Sequence, residues 1–291
     1  MISGYLLLPV KLDLPVFLKT RFTRVLFPFI FWCIAYSFYF LARGKISVTD
    51  AFLNIPKILV NYGTEVGHLW YIYMLIGIYL FAPIISPWIE KAKFSHFIYY
   101  IVFWAITGCI KYIHLVFPNV WGECSWNNTP MLHYFTGHMG YALLGAFIKL
   151  HLNKYDLYWL GIILIIFGYA MTTCIYEYMY YIQTESAVDL EMSWDFHLIN
   201  VMMETAGIFL VLRKIQCNNK YIVTLFQDIA LKSYGMYLCH IMLLDGFQTA
   251  FDPNLNHPTI FIPLIALATF ISTYIIVKAI SYIPFSKYII G

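Results

Sequence analysis

The chain predicts an all-α fold: a polytopic transmembrane helix bundle with about eight full spans and a partial N-terminal helix. Three observations carry this. Hydrophobic residues make up 61% of the 291 residues and charged residues only 11%, against roughly 45–50% and about 25% in soluble domains. The apolar residues fall in runs that approach the ~20 needed to cross ~30 Å of hydrocarbon. Those runs lack the two-residue alternation of barrel strands, so helices are left as the way to satisfy every backbone N–H and C=O in lipid. A soluble fold needs more charge, and disorder is excluded by the apolar content. The 18 Lys+Arg against 15 Asp+Glu give +3, too weak to imply a nucleic-acid partner.

In chain order, the spans run roughly Val25–Ala42, Leu69–Ile85, Phe97–Phe117, Met131–Leu150, Leu157–Ile175, Phe196–Leu212, Ser233–Phe247 and Thr259–Ile280. The Ser233 span is short and is expected to start a turn or two earlier, near Phe226. Before them stands MISGYLLLPV, Met1–Val10, apolar but too short to cross. It reads as the second half of a helix, or else as a disordered or interfacial N-terminus. Loops are about 20 residues at most, so the chain is expected to be a single membrane domain over 1–291 whose helices and short loops carry any chemistry.

Basic residues set the orientation. Of the 18, 14 fall on one side: Lys11, Lys19, Arg21, Arg24, Lys91, Lys93, Lys149, Lys154, Arg213, Lys214, Lys220, Lys232, Lys278 and Lys287. The opposite side holds Arg43, Lys45, Lys57 and Lys111, and its loops at 118–130 and 177–195 contain no Lys or Arg. The basic side is therefore read as cytoplasmic, the C-terminus as inside, and the protein as a multi-pass protein of the cell membrane (the inner membrane in a Gram-negative cell).

The six cysteines have no zinc or redox spacing. No metal site and no disulfide is predicted. Asn127-Asn128-Thr129 matches a glycosylation sequon, a weak pattern. Gly137, Gly140 and Gly145 suggest close helix packing, since no Lys-Ser/Thr pair follows to make a phosphate loop.

Several polar residues are candidates for chemistry. Arg21 and Arg24, in KTRFTR, share one face if the first span extends back to them. Two guanidiniums there suit a phosphate or pyrophosphate; the plain alternative is a positive-inside anchor. His68, in EVGHLWYIYML with Glu65, Trp70 and Tyr73, is either a general base or an interfacial polar residue. Glu204, His240 and Asp245 are polar groups within spans, which are costly in lipid and default to function. Glu204 equally suits a structural pairing with a buried Lys or Asn. His240 has Tyr237 and Ser233 three and seven residues before it on a similar face. His133 and His138 flank the start of the fourth span.

Six strings in order resemble the integral-membrane acyltransferase type 3 family: MISGYLLL, FLKTRFTRVLFPFIFW, HLWYIYMLIGIYLFAPII, YFTGHMGYALLGAFI, SYGMYLCHIMLL and IPFSKYIIG. The resemblance implies transfer of an acetyl or other acyl group from acyl-CoA, a co-substrate and not a tightly bound cofactor, to a hydroxyl of a surface or exported polysaccharide. The implied partners are the bilayer, acyl-CoA and a surface glycan or lipid-linked sugar. The family's Arg-x-x-Arg motif maps onto Arg21 and Arg24 as the donor-binding pair, and its aromatic active-site string onto His68–Met74. Trp70, Tyr73 and Glu204 are then expected to bind substrate, and His68 and His240 are the histidines left for catalysis. The family's first helix, which carries a His preceded by an Arg, is not found in this sequence, which opens inside the family's second helix. A gap exposing polar groups to lipid, and little or no activity, are the expectation for such a chain.

Two other classes fit the same composition. A glycan or small-molecule transporter accounts for the spans and buried polar groups but predicts repeats, and none is visible. An inactive remnant serving as a subunit of a polysaccharide-synthesis complex is the second.

Overall fold

The computed structural model describes residues 1–58, 64–117, 131–183, 190–251 and 257–291. Among them there is no strand. The loop 118–130, with Cys124 and the sequon, lies outside the described residues, as does the side chain of Glu65.

The helices are α1 (Ile2–Leu7), α2 (Leu14–Ala42), α3 (Val48–Lys57), α4 (Trp70–Lys91), α5 (Phe94–Val116), α6 (Met139–Phe147), α7 (Tyr158–Gln183), α8 (Ile199–Leu212), α9 (Lys220–Phe251), α10 (Pro258–Ile280) and α11 (Lys287–Ile290). A 3₁₀ turn at Thr64–Leu69 leads into α4. Six segments are long and apolar enough to cross a membrane: Leu14–Ala42, Gly67–Lys91, Phe94–Val116, Tyr158–Ile182, Met192–Leu212 and Pro258–Ile280. These contain, to within a residue at two ends, six of the spans expected from sequence.

The other two expected spans take a different form. The fourth becomes a shorter apolar helix over Met139–Leu152, ending in a π-helical turn at Ile148–Leu152. Its expected first turns are a 3₁₀ turn at His133–Phe135 and a break at Gly137, whose φ of +85° is left-handed and ends any run of right-handed helix. The seventh lies inside the longer α9, which starts even earlier than Phe226. Asn219 fixes that start: its Oδ1 accepts the N–H of Tyr221 at 3.0 Å.

Two compact units are present. The first comprises Met1–Lys11 and Leu80–Gln216. There the N-terminal segment is the helix α1, packed on α6. A Cβ on Gly145 would lie 2.3 Å from the Met1 carbonyl oxygen, and one on Gly140 would lie 2.1 Å from the Trp104 ring. Gly140 and Gly145 therefore serve close packing, as expected, whereas an added Cβ on Gly137 would meet nothing within 4 Å and that glycine serves the turn instead. Trp104, Tyr141 and Met202 form a buried cluster with Met1, Tyr100, Leu144 and Ile199 against it. Its polar edges are satisfied: Trp104 Nε1–H donates to the Gly137 carbonyl at 3.1 Å and Tyr141 O–H to that of Phe196 at 2.6 Å.

The second unit comprises Leu12–Tyr79 and Cys217–Gly291. Its centre is α2, whose buried residues Val25, Phe29, Trp32, Cys33, Tyr36 and Phe40 recur at helical spacing. The other face of α2 presents Phe27, Phe31 and Phe38 outward. A helix apolar on every side is what a membrane span requires. Hydroxyls and an indole lace α2 to its neighbours: Trp32 Nε1–H to the Ile289 carbonyl (2.8 Å), Tyr36 O–H to that of Leu238 (2.9 Å), and Tyr234 O–H to that of Val25 (2.8 Å).

Candidate active site

The second unit gathers six of the seven site residues expected from sequence: Arg21, Arg24, His68, Trp70, Tyr73 and His240. The deciding cluster sits where the Thr64–Leu69 turn meets α2 and α9. The His68 and His240 rings lie 5.1 Å apart between centroids and cross at 83°. Tyr36 of α2 packs edge-on against His68 at 5.3 Å, and Tyr237 of α9 at 5.8 Å. Tyr71 in turn stacks edge-on against Tyr237 at 5.6 Å.

Hydrogen bonds orient both histidines. His240 Nδ1 lies 2.6 Å from the Tyr237 carbonyl oxygen. A carbonyl only accepts, so in the neutral ring Nδ1 carries the proton and Nε2 keeps the lone pair. The Tyr237 hydroxyl donates to the main-chain carbonyl of His68. His68 also makes a hydrogen bond with the backbone of Leu238. Its Nε2 is shielded from solvent and has no hydrogen-bond partner among the described residues. The arrangement supplies an unprotonated imidazole nitrogen on His240 and a second imidazole beside it, in an aromatic enclosure. That is the equipment for accepting a proton from a hydroxyl.

The aromatic string around His68 divides in two. Trp70 packs edge-on against Tyr71 at 6.2 Å. The Tyr73 hydroxyl donates to the Ile58 carbonyl at 2.6 Å, and its ring meets Phe29 at 5.1 Å. Tyr73 thus anchors α4 to α2 and to the end of α3.

Arg21 and Arg24 lie near the other end of α2. The helix extends back to Leu14, so the condition for their sharing a face is met. Both act electrostatically on the Tyr79 phenol. The Arg21 guanidinium stands over the Phe17 ring, 5.9 Å from its centre, and its Nε is shielded with no hydrogen-bond partner among the described residues. Arg24 is exposed.

Glu204 belongs to the first unit. Its Oε1 accepts the Thr172 hydroxyl at 2.8 Å. Thr172 Oγ1 accepts from Asn200 Nδ2 at 2.7 Å, Asn200 Nδ2 also donates to the Ser193 carbonyl at 2.7 Å, and Asn200 Oδ1 accepts the Tyr112 hydroxyl at 2.7 Å. A fully buried asparagine is therefore satisfied by a network that ends on Glu204, whose direct partner is Thr172 and not the Lys or Asn expected from sequence. His138 lies in the same unit, its ring 4.6 Å from that of His197, which contacts Asp195.

A family model described as an acyltransferase domain, that of the type 3 integral-membrane acyltransferases, matches residues 1–278. The chain belongs to this acyltransferase family. Among curated proteins and solved structures, none matches it. The match covers nearly the whole chain of this membrane acyltransferase and falls on both units.

Sequence reasoning missed Tyr36 as a neighbour of His68 and Tyr71 as a neighbour of Tyr237. Tyr71 stands inside the aromatic string and was within reach of that reading. Tyr36 had no signal beyond its place on the buried stripe of α2.

Proposed function

We propose that this acyltransferase takes its acyl group from acyl-CoA and passes it to a hydroxyl of a surface or exported polysaccharide, free or lipid-linked. The observation that carries the reading is the juxtaposition of His68 and His240 at 5.1 Å, with the His240 lone pair directed by the Tyr237 carbonyl. In this mechanism His240 Nε2 takes the acceptor O–H proton as the oxygen attacks the thioester carbonyl. The tetrahedral intermediate collapses with cleavage of the C–S bond, and the departing thiolate takes the proton back from the imidazolium. An ester and free CoA thiol result, with atoms and charge balanced. His68 is the second polar group at the reacting centre, and the rings of Tyr36 and Tyr237 pack edge-on against it.

Arg21 and Arg24 are the donor's phosphate contacts in this reading. From Arg24 to Tyr36, the residue that packs on His68, is about 18 Å along α2 at a 1.5 Å rise per residue. The donor's arm between its phosphates and its thioester spans that distance. The basic end of α2 is then cytoplasmic, the C-terminus lies on the same side, and the acceptor approaches from the other. Glu204 is a candidate acceptor contact in this reading, in addition to its place at the end of the Asn200 network.

The test uses membrane vesicles carrying the protein, given acyl-CoA labelled in the acyl group and a hydroxylated polysaccharide. Label should enter the polysaccharide as alkali-labile ester with the wild type and not with His240→Ala. Equal labelling by the two proteins would overturn the assignment.

A further inference from the structure

The far end of α2 carries a second cluster of charge, in which, among the described residues, two cations share one carboxylate. α2 closes in a turn at Arg43-Gly44-Lys45. The Lys45 N–H reaches back to the Phe40 carbonyl at 2.9 Å and the Gly44 N–H to that of Leu41 at 3.0 Å. Gly44 takes the left-handed φ of +69° that this helix end requires. The turn sets Arg43 and Lys45 on one carboxylate, Asp245 of α9. Lys45 Nζ lies 2.7 Å from Oδ1 and Arg43 Nε 3.3 Å from Oδ2. The Tyr39 hydroxyl takes Oδ2 at 2.7 Å. Arg43 also donates to Thr249 Oγ1 at 2.9 Å.

Two cations meet one anion, and among the described residues no other carboxylate reaches them. The side chains of Arg43 and Lys45 remain 38% and 45% exposed, against 19% for Asp245. The carboxylate is thus turned inward and the surplus positive charge outward. Both cations share Asp245, so among the described residues a net positive charge remains at this end of α2, more than a one-to-one clamp between α2 and α9 requires.

The position points to what that charge serves. The same two helices build the histidine cluster. Tyr36 reaches both His68 and the Leu238 carbonyl, while Tyr39, one turn further on, reaches both Asp245 and the Met242 carbonyl at 3.3 Å. From Tyr36 to Arg43 is about 10 Å along α2, the reach of a short run of sugar rings. From Arg24 to Arg43 is about 28 Å, close to the ~30 Å of a hydrocarbon core. The cation pair and the donor-side arginines therefore stand at opposite ends of one span.

We propose that Arg43 and Lys45 form an acceptor subsite for an anionic group, so that the preferred acceptor is a sugar bearing a carboxylate or similar negative substituent a residue or two from the hydroxyl that is acylated. This rests on the acyl-transfer reading above for its location, and on the charge imbalance for its chemistry. The same chemistry is offered by the phosphate of an anionic lipid headgroup, so the test carries an arm for each source.

Equilibrium binding is measured on the full chain in an uncharged detergent, with a uronic-acid trisaccharide and its carboxyl-reduced, neutral counterpart as probes. The wild type should prefer the acidic sugar by about tenfold at low ionic strength, with the preference shrinking as salt is added. Lys45→Gln should erase most of it and Lys45→Arg should retain it. Asp245→Asn, which keeps an acceptor for Tyr39 while freeing both cations, should strengthen acidic-sugar binding several-fold. That gain distinguishes the subsite from a clamp, since a misfolded variant gains nothing. Equal binding of the two sugars by the wild type, or a preference unaffected by Lys45→Gln, overturns the proposal. So does loss of the preference on adding a few per cent of anionic phospholipid, which would assign the cations to headgroups. Acyl transfer with no sugar preference would remove the subsite alone. A sugar preference without transfer from acyl-CoA would leave the subsite and remove the acyl-transfer reading.

Discussion

Tyr237 holds both histidines of the candidate site: its main-chain carbonyl takes the Nδ1–H of His240 and its hydroxyl donates to the main-chain carbonyl of His68. One residue of α9 thereby fixes the tautomer of one imidazole and the backbone position of the other. The chemistry proposed for the site depends on both being fixed.

The two imidazoles are not equivalent, and substitution should separate them. His240→Ala removes the base and is expected to lower kcat by about 10²–10⁴-fold. His68→Ala is expected to cost less, with the double substitution little worse than His240→Ala alone, because groups that act as a unit are not additive. Initial rates of acyl transfer, normalised to the amount of folded protein, check this. A His240→Ala protein as active as the wild type would move the base elsewhere.

Arg24→Ala is expected to raise the KM for acyl-CoA by about 10-fold, the loss of a charge-assisted hydrogen bond, with kcat and membrane level little changed. Arg21→Ala should act in the same direction. If instead the amount of inserted protein falls in step with activity, the arginines serve as topological anchors and the donor contact lies elsewhere.

The helices were legible in the sequence and the site was legible in pieces. The apolar runs located six spans because period and length are local properties of the chain. The fourth was overestimated because one left-handed glycine, Gly137, outweighs an apolar context. His68 and His240 were each visible as polar residues at costly positions. Their pairing was not, since it depends on how the Thr64–Leu69 turn meets α9. Glu204 was equally visible, but its partner Thr172, and Asn200 behind it, are small polar residues whose meeting is set by the α7–α8 contact. Arg43 and Lys45 read as ordinary loop charges until Asp245 was seen between them.

Asn200→Leu should be strongly destabilising. It strands the Tyr112 hydroxyl and the Ser193 carbonyl in a buried site, at about 1–3 kcal/mol for each group left unsatisfied. Glu204→Gln keeps an oxygen for Thr172 and should cost little stability. If Glu204 also contacts the acceptor as a carboxylate, Glu204→Gln will raise the acceptor KM at unchanged thermal stability. Thermal unfolding in detergent, measured beside acceptor kinetics, separates the two roles.

Asp50, in the first turn of α3, offers a pH-dependent readout. The Ser47 hydroxyl donates to its carboxylate at 2.6 Å while accepting the Asp50 N–H at 3.1 Å. The first of these bonds holds the Asp50 carboxyl below the usual carboxylate range. The folded value is the lower one, so this contribution is fully present above the ordinary carboxylate range. It is lost as pH falls through the depressed folded value. A carboxyl titration by NMR should find Asp50 low in the wild type and returned towards the ordinary value in Ser47→Ala. An unchanged value in that variant would rule out the capping hydroxyl as the cause.

The sharpest test of the site is Tyr237→Phe. It keeps the ring that packs on His68, His240 and Tyr71, and it keeps the carbonyl that orients His240. Only the hydroxyl that steadies the His68 carbonyl is lost. The stability cost should be about 1 kcal/mol, the usual net worth of one hydrogen bond. The kinetic cost should fall on kcat, by about 10-fold, because a small displacement of a reacting group slows the chemical step more than it weakens ground-state binding. KM for donor and acceptor should hold, and the pH dependence of kcat should keep its shape, since His240 retains its tautomer. A rise in KM together with a fall in kcat, tracking a lower unfolding temperature, would reduce Tyr237 to a packing residue. Unaltered kcat would mean that His68 need not be held in place, and His240 would then act alone.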